Sequence, residues 1–236
     1  MKDICGNINS IKDIINSIKN ASTGKSSEIF PVEIIVVTKT FPYTEVLEAL
    51  KCGIKHIGES RIQEALPKFE QLGANLNGIT KHFIGHLQSN KAKKAVENFD
   101  LIHSLDSLDL AKDISRHAKN INKVQNCLIE IKVSSEASKN GVAPEKAAEF
   151  YCECLKIPNI LIKGLMTITP IVENPEDARV YFNQVYSLFC DLKKDNQDFN
   201  ILSMGMSGDY KIAVEEGANM VRIGSAVFGD RYYGNK

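Results

Sequence analysis

The chain has 236 residues, 43% of them hydrophobic, with 29 Lys+Arg set against 29 Asp+Glu. That length buries a sizeable core in one barrel-sized domain, and zero formal charge leaves no long-range field for phosphodiester backbones or anionic lipid, so nucleic-acid and membrane partners are not expected. No apolar run approaches transmembrane length, and the six cysteines (Cys5, Cys52, Cys127, Cys152, Cys154, Cys190) show neither framework spacing nor a Cys-x-x-Cys pair, so they are read as reduced, mostly small buried hydrophobes of a cytoplasmic protein.

The opening MKDICGNINSIKDIINSIKN places apolar residues at helical spacing broken by Lys and Asp, which predicts a leading helix rather than a secretory signal. Eight β-rich runs follow: EIIVVTK (33–39), KHIGE (55–59), HFIG (82–85), LIHSL (101–105), CLIEIKV (127–133), LIKGLMTI (161–168), ILSMGM (201–206) and MVRIGS (220–225). Amphipathic stretches fill the gaps, from TEVLEALKCG after the first run to DYKIAVEEG after the seventh. Pro144 and Pro175 sit where a first helical turn tolerates proline, and Gly53, Gly73 and Gly217 where a helix ends. Strand and helix alternating in this way predict an α/β fold, a (β/α)8 TIM barrel of a single domain over residues 1–236 with an extra N-terminal helix. A doubly wound open sheet is the rival, but its first turn is usually glycine-rich and here reads VTKTFP.

In a barrel, reactive groups come from strand C-termini and the loops beyond them. Lys39 ends the first run after the apolar IIVV, so its amine is expected to have a depressed pKa and to be nucleophilic toward an aldehyde; the bland alternative is a lysine snorkelling to the rim. ILSMGMSGD and VRIGSAVFG supply glycines and the hydroxyls of Ser207 and Ser225 at turns into helices, and the loops after strands seven and eight are this fold's recurrent phosphate site. Asp209 would repel a phosphate if it pointed inward, and helix capping is its alternative role. Arg222, among apolar strand neighbours, needs a partner; a ligand acceptor and a structural ion pair both satisfy that need.

Other patterns carry less. TGKSS at 23–27 lacks the first P-loop glycine and a preceding strand. His82 and His86 flank a strand-to-loop step without the glutamate of a zincin helix, His103 reads as a strand-end histidine and His117 as a helix-surface one, so no metal site is expected.

Eight motifs in order, VTKTFP, GESRIQE, HFIGHLQSNK, HSLDS, SKNG, GLMTI, SMGMSGD and VRIGSAVFG, resemble the pyridoxal phosphate-binding proteins of the vitamin B6 homeostasis group, single-domain relatives of the alanine racemase N-terminal barrel. The resemblance implies that Lys39 holds pyridoxal 5'-phosphate as a Schiff base and that Ser207, Gly224 and Ser225 hold its phosphate. It further implies that Arg222 points at the pyridine nitrogen and that Met166, Ser203 and Met206 line the pocket. Ser60 stands where the family usually has Asn, and Ser225 where it commonly has Thr.

An arginine at the pyridine nitrogen weakens the cofactor as an electron sink, and the chain ends at Lys236, without room for the second domain that supplies a racemase's opposing base. The expectation is therefore a monomeric carrier and regulator in pyridoxal phosphate homeostasis, buffering the cofactor and delivering it to apoenzymes, and not a robust catalyst. The alternatives are an amino-acid racemase or lyase using Lys39 with a barrel-mouth residue such as Tyr210, and a sugar-phosphate enzyme without the cofactor.

Overall fold

The computed structural model describes residues 2–21, 31–134, 140–194 and 196–229; TGKSS and the first two residues of SKNG lie outside them. In chain order the elements are α1 (Ile4–Ala21), β1 (Glu33–Val37), α2 (Tyr43–Lys51), β2 (His56–Glu59), α3 (Ile62–Leu72), β3 (Thr80–Phe83), α4 (Ala92–Asn98) and β4 (Leu101–Leu105). They continue with α5 (Leu108–Asn120), β5 (Gln125–Ile131), α6 (Ala147–Leu155), β6 (Ile160–Thr167), α7 (Arg179–Lys193), β7 (Ile201–Met206), α8 (Tyr210–Glu215), β8 (Met220–Ile223) and the single turn α9 (Ser225–Phe228). The strands pair in parallel and in sequence order, and β8 closes the barrel on β1 through Ile34↔Val221 and Val36↔Ile223. The predicted barrel and its leading helix are both present.

Strand side chains alternate between two cores. Ile34, Val36, Ile57, Phe83, Ile102, Leu165, Leu202, Val221 and Ile223 pack outward against the helices, while Ile35, Leu101, Leu128, Met166 and Met220 form a small apolar cluster inside the barrel. The same alternation turns His82, His103, Ser203 and Arg222 inward, and all four are buried. A polar interior of this kind needs internal hydrogen bonds, and those bonds build the features described below.

The expected starts and stops hold: Pro144 and Pro175 open the turns that lead into α6 and α7, and Gly53, Gly73 and Gly217 end helices at positive φ. The first and last runs stop short of their predicted ends, at Val37 and Ile223, because the chain turns at Thr40 (φ 69°) and at Gly224, which caps α9. Lys39 is therefore a half-buried turn residue beyond a buried strand.

Helix α1 buries Ile4, Ile8, Ile11 and Ile15, one stripe at helical spacing, against α2, α8 and α9. Burial of each side chain stabilises by roughly 1.5–3 kcal/mol. Asn7 Nδ2 adds a bond to Val227 O at 2.9 Å. The seating of α1 on α2 also corrects the reading of six reduced cysteines: Cys5 and Cys52 are joined as a disulfide across a sequence separation of 47, with Cα atoms 5.5 Å apart. The pairing depends on how two helices dock, which spacing in the sequence does not report. Of the rest, Cys127 and Cys154 are buried as expected, while Cys152 and Cys190 are exposed. Cys5→Ala/Cys52→Ala is expected to lower stability by about 2–4 kcal/mol relative to the oxidised chain, measured by urea denaturation without reductant; an unchanged midpoint would show that the bond constrains nothing.

Candidate functional site

At the C-terminal rim, the segment carrying Lys39 is fixed on both sides by α3 and the end of β2. Thr38 Oγ1 donates to Glu59 Oε1 at 2.7 Å, and Lys68 Nζ donates to Thr38 O and to Glu59 Oε1, both at 2.6 Å. Glu64 accepts from Lys68 at 3.4 Å and also from the backbone N–H of Thr40. Thr40 adopts a left-handed conformation that a β-branched residue rarely enters, so the bond to Glu64 helps to hold it. Glu59 is fully buried, and burial pushes its carboxyl upward against the opposing pull of Lys68. Lys39 thus enters the site from a clamped backbone.

Its side chain lines a cavity of about 360 Å³ together with Ser60, Gly85, His86, Glu130, Lys132 and Ile168, a size within the range of small-ligand sites. The β2 and β3 loops meet closely here: a Cβ on Gly85 would lie 2.3 Å from Ser60 O, so only glycine fits. Glu130 is raised to about 7, chiefly by burial and then by the Asp106 carboxylate, with Arg222 acting in the opposite direction. Asp106 is itself raised by burial and stands 3.6 Å from His86 Nδ1.

On the other side of the mouth, Ser207 Oγ accepts from the backbone N–H groups of Gly224 and Ala226, each at 3.2 Å, tying the β7 turn to the β8 turn. Asp209 does not face this turn with a free charge: its carboxylate accepts from Met206 N at 2.6 Å and from Thr169 Oγ1 at 3.2 Å. Its side chain makes no capping bond to α8 either; it ties the end of β7 to the loop after β6. The donor set left at the turns, serine hydroxyls and backbone amides without an intruding carboxylate, suits a phosphate. Strand pairing brings these turns beside Lys39, since a Cβ on Gly224 would sit 3.5 Å from Val37 Cβ.

Arg222 is buried and donates through Nη1 to Ser203 O (2.9 Å) and Ser203 Oγ (2.8 Å), and through Nη2 to Thr167 O (2.8 Å). Among the described residues its partners are thus neutral oxygens and not a carboxylate, so the structural ion pair is not formed. Burial lowers it to about 10, and Asp209 and Glu130 resist that shift through charge. These bonds engage three of the five guanidinium N–H groups, leaving two for another acceptor.

The expected site residues therefore fall into groups. Lys39 lines the cavity of about 360 Å³, whereas Ser207, Gly224 and Ser225 form the adjacent turns. Met206 borders a smaller cleft of about 210 Å³ with Thr169 and Gly208. Met166 belongs to the inner apolar cluster, Ser203 orients Arg222, and Ser60 lines the cavity. Tyr210 is not a mouth residue: it is buried in the outer core, where burial raises its hydroxyl.

The family model described as "Alanine racemase, N-terminal domain" matches residues 8–232. A relative named pyridoxal phosphate homeostasis protein, from Aquifex aeolicus, is 45% identical over 85% of this chain and 88% of its own length; that of Escherichia coli is 34% identical over the whole of both chains. The chain belongs to the pyridoxal phosphate homeostasis protein family. Among solved structures, PipY of Synechococcus elongatus with pyridoxal phosphate bound superposes with a TM-score of 0.78 at 33% identity, covering 93% of this chain and 100% of PipY. Alanine racemase of Clostridium difficile, 18% identical with a TM-score of 0.69 and 56% covered, shares the barrel fold.

Sequence reasoning missed Glu59, Glu64, Lys68 and Glu130 within this site. One signal was available for Lys68: it lies on the stripe Ile62, Ala65, Lys68, Leu72, the buried face of α3.

Proposed function

We propose that this chain binds pyridoxal 5'-phosphate through Lys39 and serves pyridoxal phosphate homeostasis, buffering the cofactor and releasing it to apoenzymes, with any catalysis secondary. The observation that carries the reading is the placement of Lys39, held on a clamped backbone, at a cavity beside the β7 and β8 turns that Arg222 and Ser207 brace. The names of the relatives and the cofactor held by PipY point the same way. When bound, the cofactor supplies an aldehyde that a lysine amine condenses with, releasing water, and a ring able to stabilise charge on carbon.

In this reading the Ser207 and Ser225 hydroxyls and the turn at Gly224 hold the phosphate, and Arg222 offers its remaining N–H groups to the ring nitrogen. Met166 and Ser203 support the floor, and Met206 borders the phosphate side. Ser60, with a shorter side chain than Asn, leaves space in the cavity wall. Burial of Tyr210 removes the opposing base proposed for a racemase or lyase, which favours the carrier. The reading includes a monomer in the cytoplasm; among the described residues, no helix is long and apolar enough to cross a membrane.

Borohydride treatment of the loaded protein should fix the label on Lys39, and Lys39→Ala should keep phosphate-dependent binding, weaker and without the near-visible absorption band. A spectrum and affinity indifferent to Lys39→Ala would overturn the assignment. In deuterium oxide, amino acids should show no enzyme-like Cα–H exchange; steady turnover would return the racemase or lyase alternative.

A further inference from the structure

Three histidines on consecutive strands form a hydrogen-bonded row inside the barrel, outside the site described above. His56 Nδ1 lies 3.0 Å from His82 Nε2, and His82 Nδ1 lies 2.9 Å from His103 Nε2. At one end His56 Nε2 is 3.3 Å from the Glu33 carboxylate. At the other, His103 Nδ1 is buried with no hydrogen-bond partner among the described residues.

Barrel register creates the row. Ile35 pairs with His56, His56 with Thr80 and His82 with Leu101, so each member sits two residues above the residue opposite its predecessor. Two residues is the spacing between inward-facing positions, and Glu33, His56, His82 and His103 therefore climb from β1 to β4. The lower end opens on a cleft of about 270 Å³ at the barrel floor, lined by Glu33, His56, Lys12, Asn16 and Lys55. Arg222 on β8 acts on His103 at the upper end, along with the rings of His82 and His56, and Arg222 itself feels the charges of Asp209 and of Glu130 on β5.

The carboxylate sets the direction of the chain, because it accepts and cannot donate. His56 therefore carries its proton on Nε2 and offers Nδ1 to His82; His82 offers Nδ1 to His103; His103 is left with a bare Nδ1. Burial keeps the inner rings neutral, lowering His82 to about 3 and His103 well below its usual range.

We propose that Glu33, His56, His82 and His103 form a proton wire that takes up a proton at His103 Nδ1 and releases one from Glu33 at the barrel floor. When a proton bonds to His103 Nδ1, His103 passes its Nε2 proton to His82 Nδ1. His82 then passes its Nε2 proton to His56 Nδ1, and His56 passes its own to Glu33, which yields it to water. One proton enters and one leaves, and each ring stays neutral with its hydrogen moved to Nδ1; the reverse passage restores the resting state. A basic nitrogen brought protonated against the Arg222 guanidinium is repelled by it, and the bare His103 nitrogen gives that proton an exit away from the mouth the ligand covers. This use rests on the reading of Arg222 given under Proposed function, whereas the wire does not.

The test is nitrogen-15 NMR of the histidine-labelled, cofactor-free protein. At neutral pH all three rings should be protonated on Nε2 alone. On acidification the charge settles on His56, between Glu33 and the floor cleft, where both its N–H groups must donate. His82 and His103 should then move their protons to Nδ1 at the same midpoint as His56 titrates, while remaining neutral. Glu33→Gln should lower that common midpoint, and His82→Phe should make His103 insensitive to it; the half-exposed Glu33 site serves if the His82 variant does not fold. A neutral-pH proton on Nδ1 of His82 or His103, separate midpoints for the rings, or a Glu33→Gln midpoint equal to wild type would each overturn the wire. Lys39→Ala should leave these signals unchanged, so failure of cofactor binding and failure of the wire are read separately.

Discussion

Lys68→Met is expected to destabilise the protein by on the order of 3–5 kcal/mol, because it removes the partner of a buried carboxylate instead of the whole pair. Glu59 is fully buried, and its Oε1 receives both Lys68 at 2.6 Å and Thr38 at 2.7 Å. The pH dependence has a definite sign. Burial already raises Glu59, and removing the Lys68 charge raises it further. A carboxyl whose folded pKa lies above its unfolded value holds its proton in the native state, so its contribution is full at low pH and is lost as pH rises through the folded value. The variant should therefore be closest to wild type in acid and furthest from it near neutrality, measured by urea denaturation across pH. Lys68→Met/Glu59→Leu should recover most of the loss, since an apolar pair leaves no stranded charge. Cofactor retention should fall about tenfold in the single variant, equivalent to ~1.4 kcal/mol, because Thr38 O loses its donor beside Lys39. Equal stability at all pH values would mean that the Lys68 pair is energetically neutral.

The barrel was legible because its signals are local: IIVV and ILSMGM have strand composition, the intervening stretches have helical period, and prolines and glycines punctuate them as their backbone preferences require. Lys39, Ser207 and Ser225 could be placed at the mouth because each follows closely on a barrel strand, whereas Gly224 came only with the family resemblance. What escaped depends on where strands and helices meet. Cys5 and Cys52 pair only because α1 docks on α2. His56 drew no attention, and His82 and His103 read as unrelated, because their row exists only through the barrel's register. Lys68 resembles a surface residue until Glu59 and Thr38 O are brought to it by the packing of α3 on β2. Arg222 shows an intermediate case: its burial among apolar neighbours announced a partner, but backbone carbonyls are invisible in side-chain patterns, and its partners proved to be two carbonyls and one serine.

Those partners make Arg222→Met the substitution with the widest electrostatic reach. Methionine fills much of the volume but donates nothing, leaving Ser203 O, Ser203 Oγ and Thr167 O without the donor they now have. Unsatisfied buried acceptors cost roughly 1–3 kcal/mol each; relief of burying the guanidinium offsets part of the sum, so a net loss of about 2–4 kcal/mol is expected. Glu130 reports the electrostatic part. Burial and Asp106 raise it to about 7 while the Arg222 charge pulls it down, so removing that charge should move Glu130 further upward, a shift readable by carbon-13 NMR of the labelled carboxyl. The linkage sign follows: in wild type the contribution of this carboxyl declines with rising pH and levels off above about 7. In the variant the decline should continue into alkaline pH. Loss of the donors for a ring nitrogen should also weaken cofactor binding in Arg222→Met while borohydride still places the remaining label on Lys39. A Glu130 titration identical to wild type would show that the guanidinium charge is screened from the cavity, and would remove the electrostatic link between Arg222 and the cavity.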